Sequence, residues 1–300
     1  MRKLTFLIVL IITTGDLFGQ SFYNRRIDRS WIASFGTGSA KYFGDLANPG
    51  QIFQSTKWNI EAGLEKRLDP RFSVRGNVTF FQIGGNDKDA SGDGNRDKRN
   101  LSFTSTNIEL SVTGKVQLFA ESGRYYQRKM INPFAYAGIG ALLFNPKGVA
   151  PATDWNNNPL PEAGKKVNLR KLKTEGKSYG TVTLAIPIGL GVKFMVSPFM
   201  NVSLDGGYRY TFTDYLDDIS STYPGISQFS DPLAAAMSDK RIGLGLPAFA
   251  ADHIRGNPSK KDGYFIFSIK LEYYLPPTFL GGGPRAYKKR RYHRPKSREP

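Results

Sequence analysis

The sequence predicts a closed, eight-stranded antiparallel transmembrane β-barrel. Three observations lead there: long stretches that keep a two-residue apolar period, charge in the middle of the opposite face of those stretches, and connections that alternate between short and long. The clearest stretch is TVTLAIPIGLGVKFMV, Thr181 to Val196. Its even positions, from Val182 through Leu184, Ile186, Ile188, Leu190, Val192 and Phe194 to Val196, are large and apolar. Its odd positions are small or polar, apart from Met195. Successive strand side chains point to opposite faces, so such a segment has one greasy face and one that is not.

Seven further segments follow the same rule. Ser30–Phe43 and Ile131–Phe144 do so weakly. Trp58, Ile60, Ala62 and Leu64 alternate with Asn59, Glu61, Gly63 and Glu65. Phe72, Val74, Val78 and Phe80 alternate with Ser73, Arg75, Asn77 and Thr79. Ile108 to Leu118, Val202 to Phe212 and Phe265 to Tyr273 complete the set. At about 11 to 16 residues each, the strands exceed the ~9–11 tilted residues that cross a bilayer. Glu61, Arg75, Glu109, Lys115, Lys193, Asp205, Arg209, Lys270 and Glu272 all fall on the non-apolar face. A sandwich core would not tolerate so many charges, whereas charges pointing into a narrow barrel can pair with each other. Leu68–Pro70 and Ser197–Pro198 are tight turns, and a dozen residues around Glu121–Met130 join the fourth and fifth strands. The segments 44–56, 84–100, 145–179 and 215–262 are long. Short periplasmic turns and long extracellular loops are the expected pattern. Pro187 cannot donate to a ladder, so a bulge or kink is expected there. Trp58, Phe80, Phe81, Tyr208, Tyr210, Phe212, Tyr273 and Tyr274 are candidates for interfacial girdles.

Residues 1–19 read as a secretory signal peptide: Arg2 and Lys3, an apolar run from Leu4 to Ile12, then small residues near Gly19. Residues 20–275 form the barrel, and both termini are expected on the periplasmic side. Residues 276–300 are a basic tail carrying Arg285, Lys288, Lys289, Arg290, Arg291, Arg294, Lys296 and Arg298 against Glu299. The chain has no cysteine, which excludes disulfides and thiolate chemistry. Its net charge of +17 invites a nucleic-acid reading, but export removes that partner. The tail is instead expected to dock electrostatically on acidic periplasmic protein or anionic headgroups.

Little suggests chemistry. In the segment 86–100, Asp87, Asp89, Ser91, Gly92, Asp93 and Asn95 match calcium-loop positions, but Lys98 stands where a bidentate Glu is required. Asp214, Asp217 and Asp218 cluster after the seventh strand; capping a short helix or pairing with Arg or Lys is the plainer role, and a helical turn is predicted at Pro232–Ser238. Asp252, His253 and Ser259 are the one hydrolase-like trio. The expectation is a non-enzymatic barrel without metal or cofactor, in contact with outer-membrane lipids. The alternatives are a surface enzyme acting on lipid or peptide, and an adhesion or membrane-stability barrel.

Two motifs add a resemblance. AKYFGDLANPG at Ala40–Gly50 and YRYTFTDYLDDISSTY at Tyr208–Tyr223 resemble signatures of the PorG-like family of Bacteroidota outer-membrane barrels, with DKRNLSF at Asp97–Phe103 a weaker third match. The matching residues are Tyr42, Phe43, Gly44, Asp45, Leu46, Asp214, Tyr215, Leu216, Asp217 and Asp218. The resemblance implies a Gram-negative outer-membrane component of the type IX (Por) protein secretion system that contacts a periplasmic lipoprotein ring. It implies no catalysis at these residues.

Overall fold

The structure, a computed structural model, describes residues 29–47, 55–89, 96, 98–121, 128–276 and 279. The leader, nearly all of the basic tail, and Ser91, Gly92, Asp93 and Asn95 lie outside the described residues. Eight long antiparallel strands form the wall: β1 (Trp31–Phe43), β2 (Lys57–Arg67), β3 (Phe72–Asn86), β4 (Ser102–Gln117), β5 (Ile131–Leu143), β8 (Val182–Ser197), β9 (Met200–Thr211) and β10 (Gly263–Tyr274). The order β3-β2-β1-β10-β9-β8-β5-β4 closes through β3–β4, so the wall has no open edge. Hydrocarbon offers backbone groups no water, and closure gives each N–H a neighbour instead.

The segment 145–179, expected as loop, carries two short strands, β6 (Pro146–Val149) and β7 (Lys166–Asn168), and one helical turn, α1 (Leu169–Leu172). This ribbon pairs onto the top of β4. The predicted helix is present as α2 (Pro232–Ser238), with Asp231 capping its N-terminus through Leu233 N–H. Strands β3 and β4 extend above the predicted spans, to Asn86 and from Ser102.

Pro187 is not a bulge. The register is the same on both sides of it, Ala137↔Ile188 and Gly140↔Ala185, and pairing toward β5 simply lapses between them. Losing one donor leaves a gap in the ladder without adding a residue, while Pro187 still sits opposite Arg209 of β9. The irregularity in β8 lies at Met195/Ser197, beside the turn.

The outer face is the apolar one. Phe35, Leu110, Ile139, Leu184 and Leu190 project outward, with Ile139 and Leu190 about 70% exposed (69% and 70%). In water such a belt would be an aggregation site; in lipid it is the solvent-facing surface. On β3 the belt runs from Phe72 to Phe80, where roughly nine residues of ~3.3 Å rise at ~40° tilt span about 23 Å, close to the ~25 Å of a transmembrane barrel. Above it, Gln82 donates to Thr106 on the outer face and marks the return to polar surface. Most of the proposed girdle aromatics face outward, but Phe81 and Tyr274 are buried inside. Their positions are odd for β3 and even for β10, which puts both on the lumen side of the pleat.

The lumen has two regions. The lower and middle parts hold the charges, all buried and paired across the barrel. Lys193 meets Glu121 at 3.1 Å, Lys115 meets Glu65 at 2.6 Å, and Asp205 meets Lys270 at 2.6 Å and Arg75 at 3.3 Å. Lys270 also pairs with Glu61, and Tyr264 donates to Glu109 at 2.6 Å beside Arg209. Glu121 lies in the turn joining β4 to β5; burial works against its charge, but Lys193, Arg67 and Arg128 overcome that and hold it down at about 2. The upper lumen is instead apolar. Phe81, Ile83, Phe103, Leu142 and Phe144 pack there with Leu46, Leu216 and Met237 from the loops. Side chains fill the cylinder throughout, as its eight-strand width requires.

Candidate functional site: the motif network under the loop cap

The two motifs, about 170 residues apart in sequence, meet at the top of the barrel. Strand β1 ends with Tyr42 pointing inward, fully packed by Phe103 at 4.9 Å. Its hydroxyl lies 2.7 Å from Asp217 Oδ2 and 2.7 Å from Asp262 Oδ1. One O–H supplies one proton. It donates to one carboxylate, so the second carboxyl must itself be protonated and donate to the phenol oxygen. The outer oxygens are also engaged: Leu216 N–H donates to Asp262 Oδ2 at 2.9 Å, and Ile219 N–H donates to Asp217 Oδ1 at 2.9 Å. Gly44 is required by this packing. A Cβ there would stand 1.9 Å from the Tyr42 hydroxyl and 2.0 Å from Asp262 Oδ1.

The remaining motif residues surround this pair. Asp45 Oδ2 accepts from Asn257 N–H at 2.7 Å, joining the first long loop to the last. Leu46 and Leu216 are buried in the upper core. Phe43 projects outward with its ring edge on Tyr208. Tyr215 stacks on Tyr179 at 4.6 Å. Asp218, with φ of 70°, accepts from the hydroxyls of Thr174 and Tyr179. Asp217 and Asp218 therefore hold loops together, mainly through hydroxyl donors where Arg or Lys was expected; among the described residues only Asp218 has such a partner, Arg255 at 3.7 Å, and none of the three caps a helix.

Sequence reading missed the residue at the centre. Arg255 donates to Glu175 Oε1 at 2.9 Å and to the Asp218 carbonyl at 2.5 Å, and through Nε to the Ser238 carbonyl at 3.3 Å. Glu175 accepts in turn from Ser220 N–H at 2.9 Å and the Ser221 hydroxyl at 2.7 Å. A lone Arg and a lone Glu in long loops give no periodicity, and only the fold brings them together. Asp262, one residue before β10, was equally silent.

Other candidates resolve plainly. Asp87 is buried and committed to Arg99 at 2.7 Å and to Arg96, with Leu101 N–H as a third donor. These partners occupy the side chain that would open a calcium loop, and no group of metal-ligating side chains assembles among the described residues. The hydrolase-like trio is not assembled: Ser259 Oγ donates to Asn257 Oδ1 at 2.6 Å, while His253 Nδ1 faces the Ile254 carbonyl. The tail residues Arg285, Lys288, Lys289, Arg290, Arg291, Arg294, Lys296 and Arg298 lie outside the described residues.

The carboxyl groups set a pH dependence. Burial raises Asp262 to about 8, with Asp214 and Asp45 adding repulsion, and burial raises Asp217 as well, with Asp262 adding to it. Burial also lifts Asp214 and Asp218 to about 6 each; Lys261 opposes it at Asp214, and Arg255 with the two hydroxyl donors opposes it at Asp218. Arg99 faces Asp217 from the second long loop. All of these values are raised above those of an unfolded chain. The stability they contribute is complete in acid and is lost as pH rises through about 6 and then about 8. Between the ordinary carboxyl range, at ~4, and about 8, release of the Asp262 proton on opening is expected to increase opening of this segment by up to roughly tenfold per pH unit, with the rise levelling off above about 8. Hydrogen exchange over residues 214–220, corrected for intrinsic rate, reads this, and Tyr42→Phe should alter the step.

The fold and its lipid-facing wall define the class: a transmembrane β-barrel with a filled lumen and a folded loop cap. Among solved structures, the chain is similar to Neisserial surface protein A (NspA), with 7% identity and a TM-score of 0.41 over 83% of this chain and 100% of that one. It is similar to the outer membrane protein OprG from Pseudomonas aeruginosa, with 8% identity and a TM-score of 0.41 over 82% and 95%. A major outer membrane protein from Thermus thermophilus is similar at 12% identity and a TM-score of 0.39, over 81% and 98%. No protein-family model matches the chain, and no curated protein does.

Proposed function

We propose that this chain is a non-enzymatic outer-membrane barrel that anchors the type IX protein secretion machinery. The long-loop end faces outward, both termini are periplasmic, and the basic tail 276–300 docks on an acidic surface of a periplasmic lipoprotein ring. The observation that carries the reading is the direct bond between the two motifs, Tyr42 to Asp217, in a fully buried setting. Residues whose resemblance suggested the PorG-like family form one structural unit, and that unit stabilises loops instead of presenting reactive groups to solvent. The packed, ion-paired lumen favours an anchor over a conduit. The alternative of an adhesion or membrane-stability barrel draws support from exposed lysines on the third long loop, including Lys147, Lys166 and Lys171.

Photo-crosslinkers placed at Lys288, Lys289 and Lys296 test the docking. The expected result is capture of a periplasmic lipoprotein, weakened by salt because the Debye length falls from ~10 Å at 0.1 M to ~3 Å at 1 M. Deletion of residues 276–300 should impair protein export while the barrel still assembles. Normal export together with no capture would refute the docking role.

A further inference from the structure

A cleft of about 240 Å³ opens where the lipid-facing wall meets the third long loop. Its floor is Ile108 and Leu143, paired neighbours that project outward at the top of the apolar belt. Its upper rim is polar: Thr106, Asn145, Asn168 and Thr181, with Arg170 from α1. Among the described residues lining it, Arg170 carries the only charge. The cleft therefore straddles the height at which Gln82 and Thr106 mark the change from apolar to polar surface.

Two further observations give it an occupant. Arg170 Nε is shielded from water and has no hydrogen-bond acceptor, an arrangement that costs free energy unless something supplies one. Lys147, opposite Thr104, and Lys166, opposite Val149, are exposed on the ribbon above, while Asp154 and Glu175 of the same loop are buried. Even with half-buried Glu162, basic side chains outnumber acidic ones on this loop. Below the cleft, Ala141 sits between Leu110 on one side and Leu184 on the other. A small side chain between two large exposed ones leaves a furrow that continues the cleft down the wall.

We propose that this cleft binds the phosphate of a lipid in the adjoining leaflet, with one acyl chain laid in the furrow over Ala141. A small swing of the Arg170 guanidinium presents its planar fork to the phosphate oxygens, the geometry that arginine matches in pairs of bonds. The leaflet is the outer one if the loops face outward, as proposed above; binding itself rests on the transmembrane barrel alone and is read without any secretion assay.

The test uses the purified full-length barrel and native mass spectrometry. It compares dioleoyl phosphatidylglycerol with a galactosyl diacylglycerol of the same chains, and adds inorganic phosphate as competitor. One phosphatidylglycerol adduct is expected, retained at least fivefold better than the galactolipid. Arg170→Gln should reduce retention at least fivefold, Arg170→Lys less, and Ala141→Phe should reduce it by filling the furrow. Lys129→Gln, at the opposite end, should leave it unchanged. Each variant is checked for heat-modifiable electrophoretic mobility, so that a folding failure is read separately from a loss of binding. Equal retention of the two lipids, or an Arg170→Gln adduct like that of the parent chain, overturns the proposal. Displacement by inorganic phosphate with no effect of Ala141→Phe overturns it too, since the site would then take a free anion.

Discussion

Replacing Asp205 by Ala is expected to destabilise the barrel by about 3–5 kcal/mol. Asp205 lies in mid-lumen, 97% buried, with Lys270 Nζ at 2.6 Å and Arg75 Nη1 at 3.3 Å. Removing it leaves two buried cations facing each other, with the desolvation of Arg75 no longer offset by a paired carboxylate. Glu61 still meets Lys270, so the loss stays short of complete collapse. The logic is asymmetric. A double variant, Asp205→Ala with Arg75→Met, should recover much of the loss, because it deletes the cation that Asp205 alone paired while Lys270 keeps Glu61. Urea unfolding from lipid vesicles gives both values. A single-variant loss under about 1 kcal/mol, in the range of a solvated surface pair, would contradict a sealed lumen.

Arg255→Ala is expected to release the loop cap while leaving the barrel closed. The guanidinium ties Glu175 of the third long loop to Asp218 and Ser238 of the last. It is 97% buried, and Asp218 Oδ2 stands 3.7 Å away as a further counter-charge. Without it Glu175 loses its paired cation and Asp218 its nearest counter-charge, a loss of about 3–5 kcal/mol for a buried pair. That corresponds to a more than hundredfold rise in cap opening. Limited proteolysis should show it as rapid cleavage within 144–181 and 212–262, with the heat-modifiable electrophoretic shift of the closed barrel retained. Arg255→Lys should recover only part, since an ammonium cannot reach Glu175, Asp218 and Ser238 with one planar fork. Cleavage at the parent rate would show that the cap is held elsewhere.

The wall was legible because lipid imposes a simple rule on it. Every outward residue from Ile108 to Val116 in β4 is apolar or glycine, and every inward one is polar, so the two-residue period survives unbroken. The same rule identified Glu61, Arg75, Asp205 and Lys270 as lumen residues before their partners were visible. It fails above the belt. There the outside is wet and the inside is an apolar core, so the phase inverts: Phe80 faces out, whereas Phe81 and Ile83 face in. A reader following one phase sees the strand end at Phe80. The ribbon of β6 and β7 is too short to show a period at all. Of the motif site, Tyr42, Gly44 and Asp217 carried a local pattern. Asp262, Glu175 and Arg255 belong to it only through three-dimensional proximity, and a single chain read residue by residue gives no sign of that.

The absence of cysteine allows a direct test of the central claim, that β4 is part of a cylinder with lipid outside and a packed interior. Single cysteines at 108, 110, 111, 112 and 113, spin-labelled in bilayers, report accessibility to oxygen dissolved in lipid and to a water-soluble nickel chelate. The labels at 108, 110 and 112 should be accessible to oxygen and shielded from nickel; those at 111 and 113 should be shielded from both. Nickel access along either face, or no alternation across the five positions, would contradict the barrel.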